Sequence, residues 1–123
     1  MKTLLIADDD PDLRLLLQTT LEDPAYRILV ASDGESALHL VRLERPDVVI
    51  LDRMMPKLDG LQVAQAVLAD QATRPIPLIL LTALEQPAAG DGAPEVFAYL
   101  VKPFSPLQLL ETVRQALGQT SAA

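Results

Sequence analysis

The chain has 123 residues, half of them hydrophobic but only 3% aromatic, which suits one domain built around an aliphatic core. Seventeen acidic residues against ten scattered basic ones give a formal charge of −7, which argues against direct nucleic-acid binding, because neutralising phosphates takes clustered Lys and Arg. The absence of cysteine removes thiol catalysis, thiolate metal sites and disulfides, and no apolar run approaches the roughly 20 residues that span a bilayer.

Residues 3–7 form a short apolar run that reads as a first strand. The opening Met1-Lys2-Thr3-Leu4-Leu5-Ile6-Ala7 begins like a signal peptide, but Asp8-Asp9-Asp10 stops it too early, so a cytoplasmic protein is expected. Residues 11–22 carry Leu13, Leu16, Leu17 and Leu21 at helical spacing, with Asp10 as N-cap and Pro11 in the first helical position. A second strand is predicted over 26–31, then a helix over 35–44 that buries Ala37, Leu40 and Val41. A β-branched strand follows over 47–51. The next helix, 61–69, has Asp59 before it and Val63, Ala64, Val67 and Leu68 along its length. Strands four and five are predicted over 76–81 and 96–101. The segment between them, 84–95, holds Pro87, Pro94, Gly90 and Gly92, so the fourth helix is expected to be short or frayed. A last helix over 105–117 has Ser105 as cap, Pro106 in its first turn and Gly118 as stop. Residues 1–118 are thus one domain, and 119–123 a frayed tail. Strands that are nearly all apolar are buried on both faces. With helices between them, they predict an α/β fold in which a parallel sheet is covered on both sides.

In such a sheet ligands bind beyond the carboxyl ends of the strands. Strand one ends in Asp8-Asp9-Asp10, strand three reaches Asp52, strand four Thr82, and strand five Lys102-Pro103. Two like charges about 4 Å apart repel by about 4 kcal/mol at an effective dielectric near 20. Asp8, Asp9 and Asp52 in one pocket therefore call for a cation, and hard oxygen donors favour magnesium. A carboxylate can also act as nucleophile toward phosphorus. Lys102 and Thr82 would then hold phosphate oxygens.

The runs Leu4-Leu5-Ile6-Ala7-Asp8-Asp9-Asp10-Pro11, Asp47-Val48-Val49-Ile50-Leu51-Asp52-Arg53-Met54-Met55-Pro56, Leu58-Asp59-Gly60, Leu81-Thr82-Ala83 and Tyr99-Leu100-Val101-Lys102-Pro103-Phe104 closely resemble response-regulator receiver domains over essentially the whole chain. The resemblance implies a flavodoxin-like (βα)5 three-layer sandwich with strand order 2-1-3-4-5. It implies that Asp52 is the phosphoacceptor of a two-component system. Asp9, Asp52 and the backbone carbonyl of Met54 would ligate magnesium directly, with Asp8 acting mainly through water. Thr82 would follow the phosphoryl group, Tyr99 would change rotamer in response, and Lys102 would pair with the phosphate. Lys102-Pro103 would be a cis peptide. The implied donor is a sensor histidine kinase or a histidine phosphotransfer protein. An output domain or a homodimer formed on phosphorylation would receive the signal, and a stand-alone receiver and a piece of a longer regulator both stay open.

Plainer readings stand beside these. Asp10 is explained by helix capping alone, whereas capping does not explain Asp8 and Asp9 at a strand end. Thr82 and Tyr99 are common strand residues in their own right. His39, the only histidine, lies roughly opposite the Ala37–Val41 face and is expected at the surface, so the donor histidine belongs to another protein. Met54 and Leu84, each two residues beyond a site residue, would form an apolar rim that slows hydrolysis of the acyl phosphate. Residues 87–94 would be mobile at rest and ordered by phosphorylation. Two other functions compete: a magnesium-dependent phosphohydrolase, which usually has a second acid where Met54 stands, and a pseudo-receiver that only binds a partner. The leading reading is a signalling switch that catalyses its own phosphotransfer and dephosphorylation, not an enzyme with a released metabolic product.

Overall fold

The computed structural model describes residues 1–83 and 96–118. Its elements run β1 (Lys2–Ala7), α1 (Pro11–Leu21), β2 (Tyr26–Ala31), α2 (Gly34–Glu44), β3 (Val48–Asp52), α3 (Gly60–Ala69), β4 (Leu78–Thr82), β5 (Ala98–Val101) and α4 (Pro106–Ala116). The five strands form one parallel sheet in the order β2-β1-β3-β4-β5, as expected for the flavodoxin-like arrangement. The expected short helix over 84–95, the ordering of 87–94 and the tail 119–123 lie outside the described residues.

Side-chain alternation divides the core into two layers. Leu5, Ala7, Val49, Leu51, Leu78 and Leu80 pack against Ala37 and Val41 of α2 and Val63, Ala64 and Val67 of α3. Leu4, Ile6, Val48, Ile50, Ile79 and Leu81 pack against Leu17 and Leu21 of α1 and Leu109 and Val113 of α4. Every residue of β3 and β4 is buried, which explains their unbroken apolar character. On α1 only Leu17 and Leu21 are fully buried; Leu13 is half-buried and Leu16 is 54% exposed, because a helix on a sheet buries a narrower stripe than its apolar residues could fill.

Local chemistry fixes most helix starts as expected. The Asp10 side chain accepts from the Asp12 N–H with Pro11 following, and that of Ser105 accepts from the Gln108 N–H. Asp59 and Gln62 form a reciprocal capping box. Gly118 ends the chain's last turn with φ 75°, the left-handed region that glycine enters without penalty. The limits of β2 match the sequence reading, and those of the other strands differ by one or two residues at one or both ends. Asp52 and Thr82 are the last rungs of β3 and β4, paired with Leu81 and Val101, while β4 and β5 begin two residues late. Ladder pairing, not local apolarity, decides those limits.

The loop from Arg53 to Asp59, which carries Met54, is clamped by α2. The Gly34 N–H donates to the Pro56 carbonyl at 3.4 Å, and Lys57, at φ 71°, lies 3.8 Å from the Asp33 carboxylate. A Cβ on Gly34 would stand 1.9 Å from the Leu58 carbonyl oxygen. Gly34→Ala must therefore displace backbone. We expect a loss of about 1–3 kcal/mol, the usual cost of overpacking, read as a lower urea midpoint; an unchanged midpoint would show that the clamp yields freely.

Candidate functional site

The sheet's register builds the site. Ala7 pairs with Leu51, so Asp8 and Asp52 come side by side one step further along β1 and β3. Alternation carries Asp8 and Asp52 onto the α1/α4 face, the face of Leu4, Ile6, Val48 and Ile50. One carboxylate oxygen each from Asp8, Asp9 and Asp52 lies within 4.8 Å of the others. Asp8 is 0% exposed and Asp52 is buried, whereas Asp9 is exposed. Asp10 is not part of this cluster; it spends its side chain on the α1 cap.

Lys102 directly follows β5, two strands from β3, a lateral span of roughly 10 Å at the usual interstrand spacing. Its long side chain crosses that gap, and Nζ donates to Asp52 Oδ1 at 3.1 Å. The Met54 N–H points at the same oxygen at 3.5 Å. Met54 itself is 73% exposed. Lys102-Pro103 is cis, as the resemblance implied. Leu84 lies outside the described residues.

Thr82 and Tyr99 sit on the opposite face. Tyr99 packs against the α2/α3 layer, and with Thr82, Arg53, Leu61 and Leu80 it lines a cleft too narrow to hold a water molecule. Burial pushes the Tyr99 phenol above its ordinary range, opposed by the Arg53 charge. His39 is exposed on α2, away from these groups, as expected.

The donor set fits a hard divalent cation. Asp8 Oδ1 accepts from the Asp10 N–H at 2.9 Å, but Asp8 Oδ2 is buried with no hydrogen-bond partner. An orphaned buried carboxylate oxygen beside two further acids is costly without positive charge. Sequence reading overlooked three residues. Arg14 donates from Nη1 to the Asp8 carbonyl at 2.9 Å. Arg53 lines the Tyr99 cleft, and Gly60 packs so closely that a Cβ would stand 2.5 Å from the Asp52 carbonyl oxygen. An arginine one helical turn after a capping acid, and a glycine at a helix start, were the available signals.

Residues 4–114 match the family model described as the response regulator receiver domain. A probable transcriptional regulator, ycf27, of Guillardia theta is 46% identical over 98% of this chain and 47% of its own length. The chain spans about half the length of the curated relatives it matches. Among solved structures, the chemotaxis response regulator CheY4 of Vibrio cholerae superposes with a TM-score of 0.83 at 32% identity, covering 95% of this chain and 99% of that one. The receiver domain of the sensor histidine kinase PA1611 of Pseudomonas aeruginosa, solved with a magnesium ion coordinated in its active-site cleft, gives 0.83 at 25% identity over 96% and 98%.

Burial raises the Asp8 carboxyl to about 6, with the Asp52 charge adding to the rise and the Asp10 N–H and Lys102 charge opposing it. Because the folded value exceeds the ordinary 3.8, this group favours folding most at acid pH, and that contribution is lost as pH rises from about 4 through about 6. In EDTA the melting temperature should therefore carry a downward slope across that window that Asp8→Asn flattens; parallel profiles for the two proteins would refute the assignment.

Proposed function

The chain belongs to the response regulator receiver domain family, and from that membership we propose that it is a two-component switch which takes a phosphoryl group from a phosphohistidine onto Asp52. The observation that carries the proposal is the Asp52 carboxylate, buried at a strand end, clustered with Asp8 and Asp9 and held by Lys102. Asp8, Asp9, Asp52 and the Met54 carbonyl would hold magnesium. The ion supplies neutralisation of charge on phosphoryl oxygens and relief of the repulsion among the acids.

In the transfer, an Asp52 carboxylate oxygen forms a bond to phosphorus while the bond from phosphorus to the donor imidazole nitrogen breaks. The nitrogen leaves with that electron pair and takes up a proton. Lys102 stabilises charge on the transferred group from one side. Its Nζ already sits at Asp52 Oδ1, so the ammonium needs little reorganisation. Thr82 ends the neighbouring strand and shares its cleft with Tyr99. In this reading Thr82 passes occupancy of one sheet face to the other. Hydrolysis of the acyl phosphate on the same acids would reset the switch.

The donor in this reading is a histidine of another protein, a sensor kinase or a phosphotransfer protein; His39, the only histidine of the chain, lies on α2 and not among the groups at the strand ends. The name of the Guillardia relative supports control of transcription, through an attached output domain or a separate partner, as what the switch drives. A cytoplasmic location suits that role, and among the described residues no helix is long and apolar enough to cross a membrane. A phosphohydrolase is the less favoured reading, because Met54 occupies the place where such enzymes usually carry a second acid.

Incubation with acetyl phosphate and magnesium, followed by intact mass, should show one phosphoryl adduct that Asp52→Ala abolishes. Acetyl phosphate turnover without an adduct would point to a hydrolase, and neither adduct nor turnover to a binding module. Thr82→Ala should reach the same extent of labelling yet lose the change in Tyr99 environment that accompanies it, read from the aromatic NMR signals. A Tyr99 response that survives in Thr82→Ala would separate the two residues.

A further inference from the structure

We propose that Arg14 is a positioning residue for cation binding: its guanidinium locks the peptide joining Asp8 to Asp9 and so fixes where both acids stand. The proposal rests on the reading of the acid cluster as a magnesium site.

Nη1 of Arg14 donates to the Asp8 carbonyl at 2.9 Å. On the other side of the same residue, the Asp8 N–H donates to the Ala31 carbonyl at 3.1 Å, the last tie to β2. The Asp10 N–H holds Asp8 Oδ1 at 2.9 Å. Asp8 is therefore held at its amide, its carbonyl and one carboxylate oxygen, and the buried Oδ2 is what remains for a cation. A peptide unit is planar and stiff. Fixing the Asp8 carbonyl thus also fixes the Asp9 N–H, and with it the direction in which the chain leaves toward the exposed Asp9 carboxylate.

Arg14 reaches this point because α1 starts where it does. The Arg14 N–H donates to the Asp10 carbonyl at 2.9 Å, in the first turn after the cap. The side chain thereby ties the strand end to the helix that follows it, while the backbone N–H makes the helix's own first bond to its cap. A positive charge near three acids would by itself oppose binding of a divalent cation. Its presence is explained by geometry, since a planar guanidinium sets direction where an ammonium supplies only charge. A positioning role and a charge role therefore predict opposite signs for its removal.

Isothermal titration of the full chain with magnesium decides between them. Arg14→Met should weaken magnesium binding about tenfold, the low end for loss of a group that orients a metal ligand. Its melting temperature in EDTA should stay near that of the parent protein, and labelling by acetyl phosphate should recover at saturating magnesium. Arg14→Lys should fall between the two in affinity. Unchanged or tighter binding by Arg14→Met overturns the proposal. So does a lysine variant that binds as the parent does while the methionine variant fails to fold, which would reduce Arg14 to a structural staple. A parent chain that takes no magnesium at all would defeat the underlying reading of the site instead.

Discussion

Three carboxylates are pressed together at one rim of this sheet, and much of the surrounding structure follows from that repulsion. Their oxygens lie within 4.8 Å of one another, a separation at which each like-charge pair costs a few kcal/mol at an effective dielectric near 20. Burial sharpens the conflict at Asp8, whose carboxyl rises to about 6. No folding requirement asks for such a group at the end of β1. It persists because the aliphatic layers on both faces hold the strands in register, and it makes the rim receptive to positive charge. Local disfavour at a site, sustained by the rest of the molecule, is the expected signature of function.

The sheet also separates tasks. Asp8 and Asp52 end strands on the α1/α4 face, where Lys102 Nζ reaches Asp52. Tyr99, Leu80 and the cleft that includes Thr82 belong to the α2/α3 face. The acid cluster and the Thr82–Tyr99 cleft are thus on opposite sides of one layer of backbone, joined at the strand ends. Asp52 and Thr82 end ladder neighbours, β3 and β4, so the two faces meet within one strand spacing.

Rigid framing of the loops complements this division. Gly34 and Gly60 both sit where a side-chain carbon would strike backbone, of Leu58 in one case and of Asp52 in the other. The two contacts bracket the loop that carries Met54, so its carbonyl is placed by α2 and α3 together and not by the loop alone. Arg14 does the corresponding work on the β1 side. Both loops that bear oxygen donors are therefore held by the helices that follow or flank them.

Among the described residues, the sequence determined the elements and their order, the helix caps at Asp10 and Ser105, and the strand ends where the acids, Thr82 and Lys102 collect. Those features depend on apolar periodicity and on hydrogen bonds a few residues apart, which a linear reading can follow. It also separated Asp10, used as a cap, from its two neighbours. Tertiary structure alone decided that Asp8 is buried while Asp9 is exposed, that Lys102 reaches across β4 to Asp52, and that Thr82 and Tyr99 share a cleft with Arg53. It likewise drew Asp52 and Thr82 into the last rungs of their strands. Each of these outcomes depends on the lateral register between strands that lie tens of residues apart in the chain. Side-chain alternation says which residues share a face within a strand, but only pairing with a neighbour says what stands beside them.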